Sequence, residues 1–202
     1  SRLGAFALGN DNGNANITNC LVENVTGSAS NTAIVTINGD GNFILDNVEI
    51  NHCGLKEDLY SSSNAYYIRD VLYVNTYDAV VTVSNSKITN NYGPMYCFIE
   101  SRAKLTLVNT AIFDNVINTS TNGANGGDVL IWASNDNSDI SIEQCVITNN
   151  QLSKAGKGLI YAQRGSTDVE YCAIANNVAE NLIAGTSSLT ADNNWWGTNE
   201  QP

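Results

Sequence analysis

The stretch "QCVITNN" at residues 144–150 returns 27 residues later as "YCAIANN" at 171–177, with the cysteine, the isoleucine and the paired asparagines in register. A recurrence of this size commits a chain to an architecture in which one small unit packs on the next. The pattern runs the length of the sequence. With Gln144 and Tyr171 as anchors, the equivalent positions are Asn19, Asn47, Asn85, Asn109 and Asn193, at successive intervals of 28, 38, 24, 35, 27 and 22 residues. Three positions after each anchor stand Val22, Ile50, Ile88, Ile112, Ile147, Ile174 and Trp196, and two before stand Ile17, Leu45, Val83, Leu107, Ile142, Val169 and Ala191. Five positions after stand Asn24, His52, Asn90, Asp114, Asn149 and Asn176.

Each repeat carries three short runs with strand chemistry, rich in Val, Ile, Thr and Tyr and separated by Gly, Asn, Asp and Ser. The first leads to the anchor ("DISIEQ"), the second follows it ("CVITNN"), and the third comes after a loop. The third runs are "AIVTI" at 33–37, "VLYV" at 71–74, "YCFI" at 96–99, "LIWA" at 130–133, "LIYA" at 159–162 and "LIAG" at 182–185. Three strands per repeat predict an all-β, right-handed parallel β-helix of about seven coils. The coils would stack about 4.8 Å apart, with the hand following the general rule for parallel crossovers. The Asn column five after the anchor is expected to turn inward as a hydrogen-bonded ladder. His52, the only histidine, reads there as a stand-in for Asn.

With 202 residues and 43% apolar content, a single domain over 1–202 can build a sizeable core. The chain begins inside a repeat, which suggests a segment of a larger protein. A net charge of −11 argues against nucleic acid or an anionic membrane as partner. No apolar run is long enough to cross a membrane as a helix, and no signal peptide is recognisable. The five cysteines form no CxxC pair, which speaks against zinc. Cys20, Cys145 and Cys172 share one repeat column and read as core filler. Cys145 and Cys172 are expected to be stacked free thiols, because in-register side chains point the same way and disfavour the disulfide torsion.

Laid out in this way, the Asn-rich "CxIxNN" coils and above all the closing "DNNWWGTN" at 192–199 resemble the adhesin-like surface proteins of methanogenic archaea. The resemblance covers essentially the whole chain. It implies an extracellular, cell-wall location and attachment to other cells or to polysaccharide, and it names no ligand. The coil motif alone is shared with pectate-lyase-like enzymes, autotransporter passengers and phage tailspikes.

Candidate sites fall on the loops and outer faces. Two long loops, 54–70 and 117–128, flank the short turn "YGPM" at 92–95, and insertions gathered at one edge of a repeat protein commonly carry function. The first of them supplies Tyr60, Tyr66 and Tyr67. Aligned third strands place Tyr73, Phe98, Trp132 and Tyr161 in one column expected to face outward, read either as a stripe for sugar rings or a partner, or as a stripe that turns inward or is covered by the 54–70 loop. One position before the anchors, Glu143, Glu170 and Asp192 form a carboxylate column that reads as a solvated face, with a Ca2+ site as the alternative, and no cofactor is expected. No Lys or Arg stands beside these three to serve as a base, so the column is not read as catalytic. Asn16 and Asn118 head sequons open to glycosylation, whereas the sequon at Asn24 is expected to be turned inward. Trp196 falls in an inward column and is expected to plug the last coil, with Trp195 outside and Gly197 letting the backbone depart.

The expected function is a non-catalytic adhesin segment that binds a cell-surface glycan or a protein of another cell. A polysaccharide lyase or glycoside hydrolase on the same fold is the alternative, and a structural stalk is the third reading.

Overall fold

A computed structural model of the chain describes residues 6–9, 13–26, 32–54, 68–93, 97–117, 129–152 and 157–197. Among these residues the fold is all-β: 21 strands and no helix. No helix is long and apolar enough to cross a membrane. The strands form three sheets, of seven, eleven and three strands. Every pairing is parallel and joins equivalent positions of neighbouring repeats. The seven-stranded sheet collects the third strands, from Phe6–Leu8 through Thr32–Ile37, Ile68–Val74, Ile99–Ser101, Val129–Ala133 and Gly158–Ala162 to Ile183–Gly185. The eleven-stranded sheet collects the strands on either side of the anchors; Ala15–Glu23 and Asn42–Asn51 run through theirs without a break.

The anchors are backbone corners. Asn19, Asn47, Asn85, Asn109, Gln144, Tyr171 and Asn193 all adopt a left-handed conformation, and so do Asn24, His52, Asn90, Asp114, Asn149 and Asn176 five residues on, with φ between 47° and 58° throughout. Asn is the side chain that accepts this region most readily after Gly, because its short amide does not crowd the following carbonyl. Nine of these thirteen corners are therefore Asn, and His52, Asp114, Gln144 and Tyr171 take the others. The residues after these corners point inward again.

This corrects the expected ladder. The column five after the anchor is the second corner, and its side chains, His52 among them, are exposed. The inward amides belong to the next residue: Asn91, Asn115 and Asn150 are buried, and Asn177 closes the file. The Asn115 Nδ2 donates to Asn150 Oδ1 at 2.9 Å and to the Ile88 carbonyl at 2.9 Å. Its Oδ1 accepts from both Asn91 Nδ2 and Asn91 N–H at 3.0 Å. Each rung thus satisfies backbone groups that the corner removes from the sheet. At the first corner the inward position holds Ser86, Thr110, Cys145, Cys172 and Asn194, which do the same work with a hydroxyl, thiol or amide. Cys172 Sγ accepts from Cys145 N–H at 3.4 Å and donates to the Glu170 carbonyl at 3.2 Å. All five cysteines are free thiols. The hydrogen bond to Cys172, together with burial, pushes the Cys145 thiol well above its ordinary pKa.

The core runs between the sheets. Leu45, Val83, Leu107, Ile142 and Val169 fill one column and Ile50, Ile88, Ile112, Ile147 and Ile174 another, all of them buried. Trp196 packs against this core while Trp195 is half exposed. Gly197 follows at φ 84°, where an added Cβ would stand 3.0 Å from the Ala175 Cβ.

Candidate functional site

The outer face of the seven-stranded sheet carries the predicted aromatic row, with one member replaced. In the ladder Tyr73 lies opposite Glu100, Glu100 opposite Trp132, and Trp132 opposite Tyr161. Phe98 is not in this row. It lies two residues earlier, beside Val71 and Leu130, and is fully buried in the core. The expected alignment of "YCFI" with "VLYV" is thus two residues out of register, because "FIES" is the segment that pairs there. The correction puts a carboxylate in the middle of an aromatic row.

The rings are sheltered from open solvent: Trp132 packs with Cys97 and Val129, with Tyr161 against them, and cations stand over the rings. Tyr73 and Trp132 are 5% and 6% exposed, so neither offers a bare ring face. The Lys157 ammonium sits 5.5 Å from the Trp132 ring centre and 5.2 Å from that of Tyr161. The Arg102 guanidinium lies 5.2 Å over Tyr73. Both are cation–π contacts, stronger here than in water because the rings are sheltered. Glu100, 1% exposed, accepts from Ser134 Oγ at 2.9 Å and pairs with Arg102 Nε at 3.4 Å. Two residues beyond the aromatic row runs a polar one: Asn38, Asn75, Arg102, Ser134 and Gln163. Its members are tied to each other and to the rings. Asn75 Nδ2 donates to Asn38 Oδ1 at 3.1 Å, Tyr73 OH to Asn75 Oδ1 at 2.7 Å, and Trp132 Nε1 to Gln163 Oε1 at 3.1 Å. Tyr161, Lys157, Arg102 and Gln163 keep partial access to solvent. Sequence reasoning missed Glu100, Arg102, Lys157 and Gln163. The available signal was the polar residue two places after Tyr73, Trp132 and Tyr161.

The other predicted residues are placed as follows. Glu143, Glu170 and Asp192 stand in register on an outer face of the eleven-stranded sheet. They form a file rather than a cluster, and among the described residues no group of three or more His, Cys, Asp or Glu is arranged to hold a metal ion. Ser141 Oγ donates to Glu143 Oε1 at 2.6 Å. Asn16 is exposed on the outer face of its strand. Asn24 is also exposed, which corrects the expectation that its sequon is turned inward; its corner geometry projects the side chain away from the core. Tyr60, Tyr66, Tyr67, Asn118 and most of the 54–70 and 117–128 loops lie outside the described residues. No protein family matches the chain, and neither a curated protein nor a solved structure matches it.

Proposed function

We propose that the three parallel sheets are the walls of one right-handed parallel β-helix of about seven coils, and that the chain is a non-catalytic segment of an extracellular surface protein that attaches to a glycan or to a partner cell. The repeat-to-repeat parallel pairing supports the architecture. The hand follows the crossover rule.

One observation carries the function: the outer row of the seven-stranded sheet, where Tyr161, Lys157, Arg102 and Gln163 present donors along a rigid face. A strand face at fixed spacing positions hydrogen bonds for a chain of sugar hydroxyls, and the buried rings beneath hold the cations in place. The test is a glycan-array and whole-cell binding screen of the chain, run beside a reducing-end assay on pectin-like polymers. Binding that falls in an Arg102→Ala/Gln163→Ala double variant, with no release of reducing ends, is the expected result. Turnover of any polymer would replace this reading.

Glu100 favours a second reading, that of a polysaccharide-active enzyme. A sheltered carboxylate set between Tyr73 and Trp132 is the residue type that general acid–base chemistry uses. If polymer cleavage were detected, Glu100→Gln would abolish it.

A further inference from the structure

A second face, on the opposite limb of the repeat from the aromatic row, is built differently. Between the two corners of each repeat the eleven-stranded sheet presents a strip four residues wide, such as 145–148 between Gln144 and Asn149. In the first three repeats its outward column two after the anchor is mixed, with Leu21 opposite Glu49 and Glu49 opposite Lys87. From the fourth repeat on that column is apolar, with Ala111, Val146, Ala173 and Trp195 in register across four successive strands or bridges, and beside it Phe113 lies opposite Thr148. Val146 is 44% exposed and Trp195 51%. Exposed apolar groups aligned in this way form a surface rather than scattered residues.

The two borders of the strip are polar and uncharged for most of their length, because both are corner columns. Gln144 and Asn193 stand exposed on one side, Asn149 and Asn176 on the other. Tyr171 adds an independent sign. It is 62% exposed and held at φ 55°, in a column where most repeats place Asn. A bulky aromatic at a left-handed corner is conformationally unfavourable, and here no core burial offsets it.

We infer that this strip docks an uncharged polysaccharide chain. An apolar floor containing Trp195 and flanked by Tyr171 suits the C–H faces of pyranose rings, and amide borders on both sides suit their hydroxyls. Charge decides among ligands. The floor from Val146 to Trp195 carries no charge, and the charges that adjoin it, Lys87 and Asp114, lie at its first end beside Ala111 and Phe113. The chain around it carries −11, with Glu143, Glu170 and Asp192 just across the corner, so anionic polymers are repelled. This inference shares with the proposed function the idea of a sugar-binding surface segment, but it uses a different face and different residues.

The experiment titrates the full chain with soluble uncharged polymers (a β-glucan, an α-mannan and N-acetylglucosamine oligomers), with polygalacturonate and with chitosan, following tryptophan emission and calorimetry. At least one uncharged polymer binds, with little dependence on salt, and polygalacturonate does not. Trp195→Ala weakens that binding by roughly tenfold or more, and Val146→Glu, which charges the floor, does the same. Trp195 is half exposed, so its alanine variant keeps the thermal transition of the parent chain; should either variant misfold, the other decides. Arg102→Ala/Gln163→Ala leaves binding at this face unchanged, which separates the two sites. Failure of every uncharged polymer overturns the inference, as does binding that survives both variants. Preference for chitosan overturns it in favour of a cationic ligand. Concentration-dependent self-association in sedimentation, lost in Trp195→Ala, overturns it in favour of a second copy of the chain.

Discussion

Asn149 and Asn150 are chemically identical neighbours with opposite duties. Asn149 turns the backbone at φ 57° with its side chain in solvent, while Asn150 is 1% exposed and bonded on every side. Its Nδ2 reaches the Ile112 carbonyl at 2.9 Å and Asn177 Oδ1 at 3.0 Å, and its Oδ1 accepts from Asn115 Nδ2 at 2.9 Å. Asn150→Ala leaves those groups buried without partners and lowers stability by about 3 kcal/mol in a urea melt. Asn149→Gly, which keeps the left-handed corner available, changes stability by a few tenths of a kcal/mol at most. Equal losses from the two would reverse their assigned roles. A pair "NN" cannot reveal from sequence which member is which, since both columns are Asn-rich. Alternation from the inward Ile147 points to Asn149, and it is the left-handed corner at Asn149 that breaks the alternation and gives the inward place to Asn150. A further residue-scale outcome concerns Asp46, whose carboxyl is held below the usual range by hydrogen bonds from Ser84 Oγ at 2.6 Å and Asn85 Nδ2 at 2.7 Å. A depressed folded-state pKa adds stability above the unfolded-state value, and that stability is lost as pH falls through the folded value. Carboxyl NMR titration of Ser84→Ala should therefore move the Asp46 midpoint upward.

At the scale of elements, the strands around the anchors were legible and the third strands were misplaced by one member. The columns of Ile, Val and Leu at two before and three after the anchor fix the first two strands, because only Ala191 and Trp196 of the last repeat depart from those residue types and both are apolar. In the strand Ile99–Ser101 a glutamate interrupts the apolar run, and pattern matching prefers to align Phe98 with Tyr73. The ladder does otherwise, since Phe98 gains full burial beside Val71 and Leu130 while Arg102 and Ser134 satisfy Glu100 outside. Phe98→Ala should destabilise by roughly 3–5 kcal/mol, as expected for a core ring; a loss under about 1 kcal/mol would return it to the outer row. The tryptophan pair divides in the same way. Trp196→Ala removes a ring packed on the core and lowers stability by about 2–3 kcal/mol, and Trp195→Ala costs distinctly less, both read from denaturant midpoints at constant m.

Across the whole molecule, no described ladder contact is local: the smallest separation between paired residues is 22 (Ser166 with Ser188). Stability then accumulates neighbour by neighbour along the sheets rather than residue by residue along the chain. Burial is uneven along that direction. The strand Lys104–Val108 buries Leu105 and Leu107 fully between partly or wholly exposed neighbours, whereas Ser188–Asp192 has no fully buried position. Native-state hydrogen exchange should accordingly find the amides of Ser188–Asp192 opening at the lowest free energy and those around Leu105 and Ile140 near the global value. Uniform protection across the sheets would contradict a neighbour-by-neighbour account.

The file of buried amides also has a mechanical meaning. Tension applied across the strands pulls on backbone hydrogen bonds one row at a time, so the weakest row sets the yield force, as in a peeled tape. Side-chain bonds from Asn91 to Asn115, Asn150 and Asn177 cross the same gaps in parallel with the backbone. They act as a stitched seam that shares the load between repeats. Under a pulling geometry along that direction, a chain with one stitch cut should part at the cut.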